Sequence, residues 1–110
     1  MTFGTAQIGS TSRYRTSIMV SGHAITADEP RALGGQGVGP APYDLLLASL
    51  GACTAITLRM YAERKGWHLE SLEVSMRLVG SDALRIERTL VMKGLEESQR
   101  LRMAEIAERT

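Results

Sequence analysis

The side chain best suited to covalent chemistry is Cys53, the single cysteine in a chain of 110 residues. A thiol is a good nucleophile without a base beside it. The opposite reading has weight: free cysteine is among the most buried residue types and commonly acts as a small hydrophobe. Leu46, Leu50, Ile56 and Met60 flank Cys53 on one helical face, and from these residues alone the structural role is favoured. A mid-helix thiol gets no help from the helix N-terminus, so lowering its pKa from about 8.5 needs an Arg or Lys brought in from elsewhere. Arg13 and Arg15, on a strand preceding the helix, are the candidate donors. Asp44 either caps the helix or holds one of these arginines near the thiol, and capping is the simpler role because it needs no distant partner.

The remaining polar groups offer less. His23 and His68 have no partner at ligand spacing, which argues against a metal site. Gly35-Gln36-Gly37-Val38-Gly39 is neither G-x-G-x-x-G nor a Walker loop, and Pro40 and Pro42 remove amides that an anion would use. A solvent-facing or site-lining connection is expected instead. Asp28-Glu29 before Pro30 reads as a turn.

Cys53 is positioned by a long helix predicted over Pro42 to Gly66. Leu45 to Leu58 carries no charge and is apolar or small on every side, the mark of an interior helix. Pro42 suits the first helical position and Asp44 the positive end of the dipole. Arg64 and Lys65 lie in the last turn, and Gly66 suits a left-handed C-terminal residue. The apolar run is shorter than the roughly 20 residues of a bilayer span, so no membrane association is expected. Ala48, Gly51, Ala52 and Ala55 form a small-residue patch where a second copy's helix, or the chain's own sheet, would approach closely.

Strands surround this helix. Thr2 to Ile8 is a weakly signalled first strand, and Tyr14 to Val20 alternates, with Tyr14, Thr16, Ile18 and Val20 on one face. Ser21-Gly22 turns into His23 to Ala27. Asp28 to Pro42, holding all three prolines, is a loop. Later, Leu69 to Val79 places Leu72, Val74, Met76 and Leu78 on one face. Leu84 to Met92 has apolar Leu84, Ile86 and Leu90, with Arg85, Glu87 and Arg88 assigned to a wet face. From Glu96 onward, Leu101, Ala104 and Ile106 suggest an amphipathic helix. The order implies a single α+β domain over residues 1–110, an antiparallel sheet wrapped around a long buried central helix. A net charge of +1 gives no field of one sign, which argues against nucleic acid as a partner. One cysteine and an N-terminus without the apolar core of a signal peptide point to the reducing cytoplasm.

Four segments are similar to the OsmC/Ohr superfamily, and most of all to its OsmC-like branch. They are ADEP at Ala27 to Pro30, Gly34-Gly35, GPAPYDLLLASLGACTAITLRMYAERKGW at Gly39 to Trp67, and RIERTLVMKGL with QRLRMAEIAER between Arg85 and Arg109. The resemblance implies an intertwined homodimer in which antiparallel sheets enclose central helices, with active sites at the subunit interface. It also implies a thiol-dependent peroxidase for organic hydroperoxides, with Cys53 as the peroxidatic position and the activating arginine at Arg13 or Arg15. The family's paired acid aligns with Tyr43, one residue before Asp44. No cofactor is implied beyond an external thiol or dithiol reductant.

This chain departs from the family pattern in its cysteines. Relatives continue from the last helix into a C-P-V-H-type segment with a second, resolving cysteine, whereas this sequence stops at Thr110. A two-cysteine expansion of close relatives is also missing at Gly80 to Leu84. Three expectations follow: a truncated form, a one-cysteine enzyme recycled by an external thiol, or a fold kept without turnover. Against the peroxidase stands a non-catalytic dimeric binding domain in which Cys53 is structural.

Overall fold

In the computed structural model, which describes residues 3–109, the element order is β1 (Ala6–Ser12), β2 (Arg15–Val20), β3 (His23–Ala27), α1 (Pro42–Lys65), β4 (Ser71–Val79), β5 (Arg85–Lys93) and α2 (Glu97–Glu108). A 3-10 turn at Arg31–Leu33 interrupts the loop before α1. Contacts divide the chain into two compact units, Met1–Leu46 and Leu47–Thr110, and each is described in turn.

The first unit contains a three-stranded antiparallel sheet in the order β1-β2-β3. The first strand lies later than Thr2 to Ile8, of which Thr2 is outside the described residues. Gly9 and Ser10, beyond the expected end of the strand, pair with Ser17 and Thr16. Backbone pairing needs no apolar side chain, so the strand's polar composition hid it. Arg13 is not on a strand: it occupies the turn between β1 and β2 with φ of 46°. Ser21 and Gly22, both at positive φ, form the two-residue turn that pairs Val20 with His23, the geometry that matches strand twist. Thr16, Ile18 and Val20 are half-buried as their alternation requires, whereas Tyr14, expected in the same row, lies before the strand and is exposed.

In the second unit β4 and β5 form a separate two-stranded sheet, so the single sheet expected from the sequence is two. The inward row pairs Leu72 with Met92, Val74 with Leu90, Met76 with Arg88 and Leu78 with Ile86. Arg88 therefore lies on the apolar face rather than the wet one. Its even phase with Ile86 and Leu90 overrides its charge.

Helix α1 has the predicted ends. The N–H of Ala41 donates to Asp44 Oδ2 at 3.0 Å, the reach-back half of a capping box. At the other end the Trp67 N–H donates to Ala62 O and the Gly66 N–H to Glu63 O, with Gly66 at φ of 70°. That pair of bonds is a Schellman stop. Within one chain, however, α1 is not buried all round. Gly51, Thr54, Leu58 and Ala62 form the buried stripe, while Leu46, Leu50, Ile56 and Met60 stay exposed. Its apolarity predicted cover on every side, and within one chain the two-stranded sheet and α2 cover one side only.

The core consists of Leu58, Ala62, Leu69, Leu95, Met103 and Ala107, with Tyr61, Trp67, Leu72, Leu90, Met92 and Ile106 packed at its margin. On α2 the inward residues are Met103 and Ala107; Leu101 and Ala104, read from spacing as part of the apolar face, are exposed. Apolar residues on more than one side of this helix make its stripe ambiguous in sequence.

Candidate functional site

Cys53 is exposed. The same turn of α1 turns Gly51 and Thr54 inward, which leaves Cys53 on the uncovered side with exposed Leu46, Leu50, Ile56 and Met60. The packing role favoured by its immediate neighbours is not realised in the chain. Chemically this is an accessible thiol on an apolar surface.

The inward side of that turn is closely fitted. A Cβ at Gly51 would lie 3.0 Å from Met76 Cγ, so this glycine meets the chain's own sheet. Ala48 and Ala52, from the same small-residue patch, are exposed and line a shallow cleft of about 310 Å³ with Leu47, Val74 and Met76. Thr54 is only 2% exposed, and its hydroxyl donates to Leu50 O at 3.1 Å. Arg88 Nη1 donates to Thr54 Oγ1 at 2.7 Å and to Ala107 O at 2.7 Å. Neither Thr54 nor Arg88 is singled out by residue type or motif in the sequence. The signal was available in the period-2 phase of β5, which puts residue 88 in step with residues 86, 90 and 92.

Arg13, Arg15 and Asp44 belong to the first unit. Arg13 Nε donates to Gly34 O at 2.7 Å, and its guanidinium stacks 5.0 Å from the Tyr14 ring centroid. The hairpin tip thus clasps the glycine-rich loop. Arg15 is exposed, and its charge acts on Asp28. Asp44 serves as the helix cap, the simpler of the two roles considered for it.

Asp28 organises this loop, a role not visible in its reading as a turn residue. It is 2% exposed. Its Oδ1 accepts the Glu29 N–H at 2.8 Å, and its Oδ2 accepts the N–H groups of Gln36 and Val38 at 3.1 and 3.3 Å. Burial pushes the carboxyl pKa up, but the three backbone donors and the Arg15 charge outweigh it and hold it below the ordinary value of 3.8. The loop closes so tightly that a Cβ at Gly35 would sit 1.9 Å from Glu29 O. Gly35, and Gly39 whose added Cβ would meet Thr26 O, thus serve close backbone approach. Between the loop and the start of α1 lies a cleft of about 540 Å³, walled by Pro30, Leu33, Pro42 and Tyr43 with Glu29 and Asp44 among its polar groups.

A second cluster surrounds Tyr61. Its hydroxyl accepts from Arg102 Nε at 3.1 Å, with Arg64 and Lys65 also near the ring. The Arg102 hydrogen bond, more than the neighbouring cations, lowers the phenol pKa against a smaller opposing effect of burial. Trp67 meets the Tyr61 ring edge-on at 5.5 Å, so the cluster fixes the last turns of α1 at the core margin.

Residues 34–110 match the family model described as OsmC-like protein. None of the curated proteins compared matches the chain. Among solved structures, an osmotic stress induced and detoxification response protein from Psychrobacter arcticus 273-4 is similar at 22% identity, with a TM-score of 0.81, over 97% of this chain and 82% of that one. An organic hydroperoxide resistance protein OsmC from Legionella pneumophila is similar at 20% identity, with a TM-score of 0.70, over 99% of this chain and 84% of that one. The organic hydroperoxide resistance protein OhrB of Bacillus subtilis is similar at 20% identity, with a TM-score of 0.62, over 96% and 84% of the two chains. At these identities the likeness establishes the fold.

Proposed function

Because this chain belongs to the OsmC-like family, we propose that it is a thiol-dependent peroxidase that reduces organic hydroperoxides to alcohols through Cys53. The observation that carries the reading is the exposure of Cys53 on an apolar helix face. A nucleophile for an aqueous solute needs no such surroundings, whereas a lipid-like or aromatic hydroperoxide gains from shedding water against Leu50, Ile56 and Met60. Two of the structurally similar proteins carry names that refer to organic hydroperoxide resistance.

The chemistry balances with one cysteine. The Cys53 thiolate attacks the distal peroxide oxygen, the O–O bond breaks, and the alkoxide takes a proton and leaves as the alcohol. Cys53 remains as a sulfenic acid. An external thiol condenses with it, releasing water and forming a mixed disulfide. A second thiol, or the other arm of a dithiol, then displaces Cys53 as the thiol. Arg13 or Arg15 is the proposed cation that favours the thiolate.

We assign the uncovered face of α1 to a second copy, with the hydroperoxide held beside Cys53 where the two copies meet, making the working form a homodimer. A row of large apolar side chains on one helix is a surface that soluble chains usually cover. The reducing chemistry fits a cytoplasmic setting, with no membrane or nucleic acid as partner.

The test is alcohol formation from cumene hydroperoxide in the presence of a dithiol. Wild type should turn over, and Cys53→Ser should lose all activity above background. Intact mass after mild peroxide should show one added oxygen on wild type and none on the variant. Absence of turnover with every thiol reductant tried would refute the reading.

A further inference from the structure

The turn of α1 that carries Cys53 is fixed from the inside by one cross-strand pair, Met76 on β4 and Arg88 on β5. Met76 packs against Gly51, where even a methyl group would be 3.0 Å away. Arg88 holds Thr54 through a 2.7 Å hydrogen bond to its hydroxyl. Gly51 and Thr54 are three residues apart on one helical face, so together they set both how near α1 lies to the sheet and how it is rotated about its axis. Cys53 points where that rotation sends it.

The same Arg88 nitrogen also donates to Ala107 O, in the last turn of α2, at 2.7 Å. A cation at the negative end of a helix dipole is electrostatically favoured, and a satisfied interior arginine would need nothing more. The bond to Thr54 adds what such a cap does not require, because it connects α2's last turn to the residue beside the nucleophile. Thr54 in turn donates to Leu50 O, which continues the chain of bonds along α1 to another residue of the apolar face.

We propose that Arg88 is a positioning residue for Cys53, acting through Thr54 to fix the rotation of α1 and so the presentation of the thiol. The proposal rests on reading Cys53 as the reacting group. Arg88 touches no reacting atom in this scheme. Its contribution is orientation, for which a misplacement of about 1 Å can cost up to about a hundredfold in rate.

The experiment compares Thr54→Val, Thr54→Ser, Arg88→Lys and the Thr54→Val/Arg88→Lys double variant in the full chain. Two rates are followed: alkylation of native Cys53 by iodoacetamide, and kcat/KM with cumene hydroperoxide and dithiol. Thr54→Val removes the acceptor, and Arg88→Lys leaves a point charge in place of the planar fork. Each should change both rates by about tenfold, with the double variant no further from wild type than the worse single variant. Thr54→Ser keeps the hydroxyl and should restore wild-type rates. Thr54→Val and Arg88→Lys variants that melt earlier yet keep wild-type Cys53 rates would overturn the proposal. Thr54→Ser folds with the least disturbance, and a loss of rate there equal to that of Thr54→Val would overturn it too. Alkylation rates that follow the predicted order in a protein that never consumes hydroperoxide would support the positioning role and reject the peroxidase reading.

Discussion

The two units have opposite interiors. In the first, the buried residues among those described are Ala27 and Asp28, and the loop between β3 and α1 is held by directional bonds to one carboxylate. In the second, Leu58 and Met103 are fully buried in an apolar cluster, and the polar groups reaching inward, Thr54 and Arg88, satisfy each other at its edge. A directional interior fixes a shape with few atoms and is sensitive to the protonation of one group. An apolar interior draws on area and is indifferent to pH. The loop therefore depends on one ionisable group, whereas the turn of α1 bearing Cys53 rests on apolar packing and the Thr54–Arg88 bond.

The sharpest test of this contrast is Leu58→Ala. Leu58 is 0% exposed, and emptying such a site costs about 2–5 kcal/mol, a large share of the roughly 5–15 kcal/mol of a whole domain. Urea denaturation should show this loss equally at pH 5 and pH 8. A loss under about 1 kcal/mol would mean that the apolar cluster is not what holds the second unit.

Ile56→Glu should act differently although it lies only two residues away. Ile56 is 56% exposed in the single chain, so the fold itself loses little, within about 0.5 kcal/mol as for ordinary surface changes. In the proposed homodimer a carboxylate there would have to be desolvated in an apolar contact between copies. Sedimentation should therefore shift from dimer to monomer with the helical circular dichroism retained. An Ile56→Glu protein that sediments as wild type would remove this face from the dimer.

How much of this was legible beforehand differs between the two interiors. The α+β fold, both ends of α1, the Ser21-Gly22 turn and the inward rows of β2 and β4 followed from local rules, because caps, turns and alternation are written within a few residues. The polar keystones were not legible. Asp28 read as a turn residue since its donors come from residues eight and ten positions later. Arg88 read as solvent-facing since its acceptors, Thr54 and Ala107, lie on two other elements. The apolar wheel of α1 did reveal that every side wants cover, but not that one chain supplies it to a single stripe. Cys53 could be singled out by type, while its exposure depended on that same missing cover.

The smallest expected effect, and the one that tests the directional interior, is Asp28→Asn. The wild-type carboxylate accepts one N–H at Oδ1 and two at Oδ2. An amide offers one acceptor oxygen and an NH₂ group, so whichever way it turns, at least one backbone N–H faces another donor. The variant should melt a few degrees lower near neutral pH, with the change concentrated in the hydrogen exchange of residues 36 and 38. The pH dependence has a definite sign. The folded carboxyl pKa lies below its ordinary value, so its contribution is complete above the unfolded value of about 3.9 and is lost as pH falls through the folded one. The gap between wild type and Asp28→Asn should stay constant from about pH 5 upward and narrow only under more acid conditions. A gap of the same size throughout would assign the loop's stability to the shape of the side chain rather than its charge, and the two interiors would then differ less than their residues suggest.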